Sequence, residues 1–366
     1  MTIPAYNNTN LIISYLIKIE LILSKINALP IPKNYIKEFQ EDQASEDIEA
    51  LSKLIDHPIG YEEARKVYLG KILPSSRSKF LIFINYRNTI EFAKNYDRRH
   101  FMPPSSELML HINSMVGNKI GDDWSAGNFR TFTDKPDTTY DSWIKLRDYY
   151  PTVIFEEHFN EIMTTLFYEN KTQIHEIIRL AILIYEMIDK APFTVTNQIS
   201  TIALLWILSG DMKKNPNHSI PFAKIINYIR SDLENGFKIS KQHRDMTTFL
   251  EAFLYSFSIH LMQLEDQYKD IYENKVKKHG KLNEMFNKRQ LKILDYLDHS
   301  KKISRDEVAK MMGVSFMTAY RDLKGLLDEG YIEQKGTGRG TYYSLIDRSA
   351  NIEIDVEKLE VFSDLA

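Results

Sequence analysis

With 366 residues the chain is long enough for roughly two or three domains, and its 43% hydrophobic and 27% charged residues are those of an ordinary soluble globular protein. The absence of cysteine excludes disulfides, thiolate nucleophiles and cysteine-ligated zinc, and fits a reducing cytoplasm. A net charge of −3 excludes a polyanion-binding surface spread over the whole chain, so affinity for nucleic acid has to come from a local patch.

The first predicted element runs from Leu11 to Leu29, where Leu11, Tyr15, Leu16, Ile19, Ile22, Leu23 and Ile26 recur at the spacing of a core-facing helix. Lys18, Glu20 and Lys25 make it too polar for a membrane span, and no small-residue cleavage site follows, so no signal peptide or membrane contact is expected. Pro30 and Pro32 break the helix, and helical periodicity resumes from Lys33 to Leu54. Between Gly117 and Tyr140 the texture changes: Gly121, Gly127 and Pro136 bracket a β-prone run, which predicts a small hairpin over Asn128–Thr133. Thr172 to Ile188 and Gln198 to Leu208 read as two buried helices separated by the loop Asp189–Thr196. Glu265 to Asn287 is polar, with Lys275, Lys277, Lys278 and Lys281 around Gly280, and reads as a helix running into a linker. The expected organisation is a helical domain over 1–270, a linker over 271–286, a compact module over 287–348 and an acidic tail over 349–366.

The compact module carries the strongest signal. Lys288 to Leu297 forms an amphipathic helix with Leu291, Ile293 and Leu294 apolar. Ser304 and Glu307 fit a capping box, and Gly313 supplies the left-handed residue that ends the next helix. Ser315 caps a further helix that Gly330 closes, and Ile332–Lys335 and Thr341–Leu345 read as strands flanking the glycine-rich run 336–340. Helix, turn, helix and a β-ribbon are the plan of a winged helix, whose second helix enters the major groove. Ala319, Leu323, Leu326 and Leu327 would face the core; Ser315, Phe316, Met317, Thr318, Tyr320, Arg321 and Lys324 would lie toward DNA, with Arg339 at the ribbon tip. The run from Val314 to Leu323 resembles the recognition helix of bacterial winged-helix regulators, and Gly336 to Tyr342 resembles the wing that follows it. The same module could instead serve protein contacts alone, since its basic residues are present but not dense.

With Pro192, Phe193 and Asn197 in the loop between its two apolar helices, the larger domain resembles Fic-domain proteins, mostly AMP transferases, whose motif reads His-Pro-Phe-x-Asp/Glu-Gly-Asn-Gly-Arg-x-x-Arg. In that family the His is the general base, the acid holds magnesium, the Gly-Asn-Gly turn cradles phosphates and the arginines neutralise them. The matching stretch here is Ala191-Pro192-Phe193-Thr194-Val195-Thr196-Asn197-Gln198-Ile199-Ser200-Thr201-Ile202, between two apolar helices. Gly127, Phe129 and Arg130 resemble the family's flap, and Ser45 and Glu49 its inhibitory helix, whose glutamate pairs with the second arginine. The resemblance implies a mainly α, Fic-like helical domain with a small β-hairpin flap, followed by the winged helix.

The departures decide the expected chemistry. Ala191 cannot accept a proton and Val195 cannot bind a metal ion. Thr196 and Gln198 replace both glycines, and Ile199 and Ile202 replace both arginines. Only Pro192, Phe193 and Asn197 keep the pattern, so no catalytic residue, metal or cofactor is expected, and Glu49 reads as a solvated helix residue. The ten histidines include no pair three or four apart, His175 reads as a cap or core-edge residue, and no nucleophile-elbow, phosphate-loop or dinucleotide motif occurs. The function expected is a cytoplasmic, homodimeric DNA-binding regulator acting on double-stranded DNA, with the Fic-like domain as an inactive scaffold or sensor. The alternatives are a Fic-type adenylyltransferase with an atypical site, and a protein-interaction module that takes a protein target at the flap by edge pairing.

Overall fold

The computed structural model describes residues 4–72, 76, 78–97, 102–121, 126–131, 133–137, 139–146, 153–169, 173–277 and 286–346. The chain divides into two compact units between Glu273 and Asn274.

The first unit is built from helices: α1 (Asn10–Ala28), α2 (Lys33–Leu54), α3 (Tyr61–Tyr68), α4 (Leu81–Asn95), α5 (Ser106–Val116), α6 (Phe155–Thr164), α7 (Glu176–Lys190), α8 (Asn197–Asp211), α9 (Phe222–Tyr228), α10 (Arg230–His243) and α11 (Thr247–Asp270). Their starts follow local chemistry. Thr9 caps α1 by accepting from the Ile12 N–H, Pro32 precedes α2, and Ser105 caps α5 by accepting from the Leu108 N–H. His175 caps α7 through Nδ1, which accepts from the Ile177 N–H, so its place at the edge of the core is that of a helix cap.

At the centre lie α7 and α8. Every residue of α8 from Asn197 to Ser209 is buried, as is every residue of α7 from Ile177 to Ile188, the all-round burial of helices enclosed by others. Helices α4, α5, α7 and α9 pack on α8, while α2 packs on α3 and α9, and α11 on α1 and α10. Glu156 and Glu157 of α6 are exposed, whereas Phe155 and Phe159 on the opposite face are buried. After α11, residues Ile271–Lys277 continue as a π-helical turn where a linker was expected; 278–285 lie outside the described residues. Among the described residues no helix is long and apolar enough to cross a membrane.

The second unit contains α12 (Lys288–Ser300), α13 (Arg305–Met312), α14 (Phe316–Asp328), and strands β1 (Ile332–Lys335) and β2 (Tyr342–Leu345). The strands pair antiparallel, with Ile332 opposite Leu345 and Lys335 opposite Tyr342, and Ile303 adds a bridge to Tyr343. Its core contains Ile293, Leu297, Ile303, Val308, Ala319, Leu323, Leu326, Ile332 and Tyr343. Leu327 is only half-buried at its edge. The acidic tail expected over 349–366 lies outside the described residues.

Candidate functional site

The turn between α13 and α14 is set by short-range chemistry. Ser304 and Glu307 exchange hydrogen bonds at the start of α13, and Gly313 ends it at φ +62°. The Ser315 Oγ accepts from the Thr318 N–H at 3.2 Å and starts α14. The helix closes at Gly330, φ +67°.

Arg289 in α12 anchors α14 from behind. Its guanidinium donates to the buried Asp322 carboxylate through Nε at 2.7 Å and a terminal nitrogen at 3.2 Å, and Asn287 Nδ2 adds a bond at 3.2 Å. Those hydrogen bonds and the Asp322 charge hold the Arg289 guanidinium above its ordinary value. The opposite face of α14 is open. Phe316, Met317 and Tyr320 are 56%, 61% and 42% exposed, and Arg321 and Lys324 are exposed beside them. Thr318 is half-buried, with its hydroxyl 3.0 Å from that of Ser315. A cation absent from the expected surface lies beside this face, the Arg305 guanidinium 5.8 Å from the centre of the Phe316 ring, and at the wing Lys302 lies 5.8 Å from that of Tyr342. In the sequence, Arg305 shows only as part of a capping box. Arg339 stands in the turn Gly338–Gly340 between the strands; its side chain lies outside the described residues.

In the first unit, the loop between α7 and α8 brings together the residues that match the motif and closes on itself. Ala191 and Thr196 take left-handed backbone, at φ 42° and 57°. Thr196 thus occupies, with a β-branched side chain, a conformation that favours glycine. The Asn197 side chain clamps the loop, accepting from the Phe193 N–H at 2.8 Å and donating to the Phe193 carbonyl at 2.7 Å. Asn113 of α5 donates to the Val195 carbonyl at 2.9 Å and accepts from the Gly127 N–H at 2.7 Å, tying loop, helix and flap region together. The Gln198 carboxamide oxygen accepts from the Ser142 N–H at 3.0 Å. Ala191, Phe193, Ile199 and Ile202 are fully buried.

The flap residues differ from the expected hairpin. Among the described residues, Phe129 makes an antiparallel bridge to Phe193 and stacks on its ring, centroids 5.7 Å apart. Phe132 lies outside them. Arg130 is buried: its backbone N–H donates to the Pro192 carbonyl, and its guanidinium donates to the carbonyls of Ala191 at 2.6 Å, Lys190 at 3.0 Å and Asp134 at 3.0 Å. It satisfies carbonyls left open at the end of α7, a favourable place for a cation. Long-range partners thus join a local turn in which the Asp134 N–H donates to the Thr131 carbonyl at 3.2 Å.

Ser45 is buried in α2 and donates to the Glu41 carbonyl at 2.7 Å. Glu49 is half-buried and pairs with Lys53 at 2.7 Å, one turn on, rather than standing freely in solvent. Among the described residues no group of three or more His, Asp or Glu side chains could hold a metal ion.

The first unit has the fold of a Fic family protein, and the second is a winged helix-turn-helix DNA-binding domain. The family model of the DeoR-like helix-turn-helix domain matches residues 289–340. Among solved structures, a Fic family protein from Desulfovibrio desulfuricans G20 is similar over 94% of this chain and 98% of its own, with a TM-score of 0.65 and 15% sequence identity. A comparison with curated proteins finds no sequence match. At that identity the likeness is one of fold, and the chemistry has to be read from this chain's own residues.

Proposed function

We propose that the protein is a cytoplasmic transcriptional regulator that binds double-stranded DNA through α14 and the wing, with its Fic-fold unit as a catalytically inactive dimerisation or sensing module. The observation that carries this reading is the outward face of α14. Arg321 and Lys324 are exposed beside Phe316, Met317 and Tyr320, while Asp322 is turned inward against Arg289. In the helix-turn-helix geometry this face enters the major groove and the cations meet phosphates.

The inactivity of the first unit is supported by Ala191 and Val195, which offer neither a proton acceptor nor a metal ligand, and by the burial of Ile199 and Ile202 where cations would be needed. A triphosphate among those side chains would lose its hydration without compensation. Dimerisation is supported by α1, which exposes Ile13, Ile17 and Leu21 four residues apart on one face. Helix-turn-helix readers commonly place two copies on paired half-sites.

The test is a gel shift of the purified full chain on DNA upstream of its own gene. A retarded complex is expected at low salt and is lost as salt rises, because binding releases about one counterion per phosphate contact. Arg321→Ala and Lys324→Ala should each lower the salt slope by about 1. The absence of a shift on any such fragment, even at low salt, refutes the reading. Labelled ATP incubated with the protein and cell lysate should transfer no label.

A further inference from the structure

We infer that the start of α14 reads thymine 5-methyl groups through Phe316 and Met317, so that the preferred DNA carries thymines at defined positions of each half-site. The inference rests on the DNA-binding reading and adds the specificity-determining residues.

The hydroxyls at the start of α14 and the Asp322 carboxylate are engaged within the protein, while Tyr320 and Arg321 stand open one turn on. The Ser315 Oγ accepts from the Thr318 N–H, the two hydroxyls lie 3.0 Å apart, and Asp322 is buried against Arg289 and Asn287. What projects from the first turn is apolar: Phe316 and Met317 stand contiguous and open. Arg305 lies beside the Phe316 ring, so the ring sits against the protein's own cation on one side. Met317 can neither donate a hydrogen bond nor present a strong acceptor, and Phe316 can do neither, so the donor and acceptor code of base edges is closed to both. The thymine C5-methyl is the apolar group that an ordinary base pair offers in the major groove, and a phenyl ring or thioether covering it removes both surfaces from water. Arg321 and Lys324, further along the helix, are left to meet the backbone.

The experiment starts from a pool of random duplexes, from which the full-length protein enriches its preferred sequence. That duplex is then remade with deoxyuridine in place of thymidine at single positions, which removes one methyl and leaves pairing unchanged. The expected result is thymine at one or more fixed positions, with each critical substitution weakening binding roughly fourfold, the worth of one buried methyl. Phe316→Ala or Met317→Ala should bind the thymidine and deoxyuridine duplexes equally while keeping the wild-type salt slope. Equal wild-type affinity for both duplexes overturns the inference while leaving DNA binding intact. So does a preference for thymidine that survives both substitutions, or a change in the protein's mass in solution in place of base preference, which would make these side chains a contact between copies. Enrichment of no duplex at all removes the DNA-binding reading itself.

Discussion

Asp47 is fully buried, and its carboxylate accepts from the Tyr86 hydroxyl at 2.6 Å, Trp206 Nε1 at 2.9 Å and the N–H groups of Ala223 and Lys224 at 2.7 and 3.2 Å. It therefore joins α2 to α4 and α8 and caps the start of α9. Burial pushes its carboxyl up to about 6 against the pull of those hydrogen bonds. Asp47→Ala takes the acceptor from the Tyr86 hydroxyl and the Ala223 and Lys224 N–H groups and leaves Trp206 Nε1 only its 3.2 Å bond to the Tyr86 hydroxyl, and a loss of about 3–5 kcal/mol in denaturant unfolding is expected. The raised value also fixes a sign. Stability from this group is fully present below 3.8 and declines as pH rises through about 6, so any advantage of the wild type over Asp47→Asn should shrink across that window. Nothing local marks Asp47 in the sequence, because its partners lie 39, 159 and 176 residues away. Asn197 is the opposite case, one of the residues that kept the family pattern. Its clamp on Phe193 spans four residues, and Asn197→Ala exposes no surface but strands a buried N–H and C=O. Unfolding should become easier by about 2–4 kcal/mol, with no loss of DNA affinity at temperatures where the chain stays folded.

Among the elements, those of the second unit were legible because their signals are short-range. The cap at Ser304, the left-handed Gly313, the cap at Ser315 and the closing Gly330 act within a turn of themselves, and each appears where the sequence placed it. The wing depends on Gly336, at φ +79°, where an added Cβ would press into the Gly340 carbonyl oxygen. Gly336→Ala should therefore distort the β1–β2 turn and lower DNA affinity, while urea unfolding of the first unit stays at its wild-type midpoint. The hairpin expected over Asn128–Thr133 shows the limit of such reasoning. Its β-prone residues are real, but Phe129 and Arg130 find their partners in Phe193 and in the carbonyls ending α7. A stacked ring and a guanidinium spanning several carbonyls hold these residues on the loop between α7 and α8, and neither contact is visible in a window of the sequence.

For the whole molecule, α1 sets the oligomeric expectation. One face of it is buried through Ile12, Ile19, Ile22, Leu23 and Ile26, yet Leu11, Ile13, Ile17 and Leu21 are each close to half exposed or more. A helix with apolar residues on both faces commonly has a second partner, and the partner proposed above is a second copy. Sedimentation should give about twice 42.9 kDa, and Ile17→Asp with Leu21→Asp should reduce it to the monomer without unfolding the chain. If the wild type sediments as a monomer at the concentrations that shift DNA, dimeric reading of two half-sites is excluded.

The sequence by itself determined the kind of protein. Helical periodicity, caps and glycines of the second unit specify a winged helix because each acts over a few residues, and the apolar identities of Ala191, Val195, Ile199 and Ile202, on which the proposal of inactivity rests, are read from the sequence alone. The tertiary structure decided what those identities do. It turned Arg130 inward as a cap for α7, made Asp47 rather than Glu49 the buried acid of α2, left the apolar face of α1 open, and set Arg305 against Phe316. Arg130 and Asp47 join elements far apart in the chain. Burial and pairing are properties of the packed molecule, fixed only when the helices close around α7 and α8 and around the core of the winged helix.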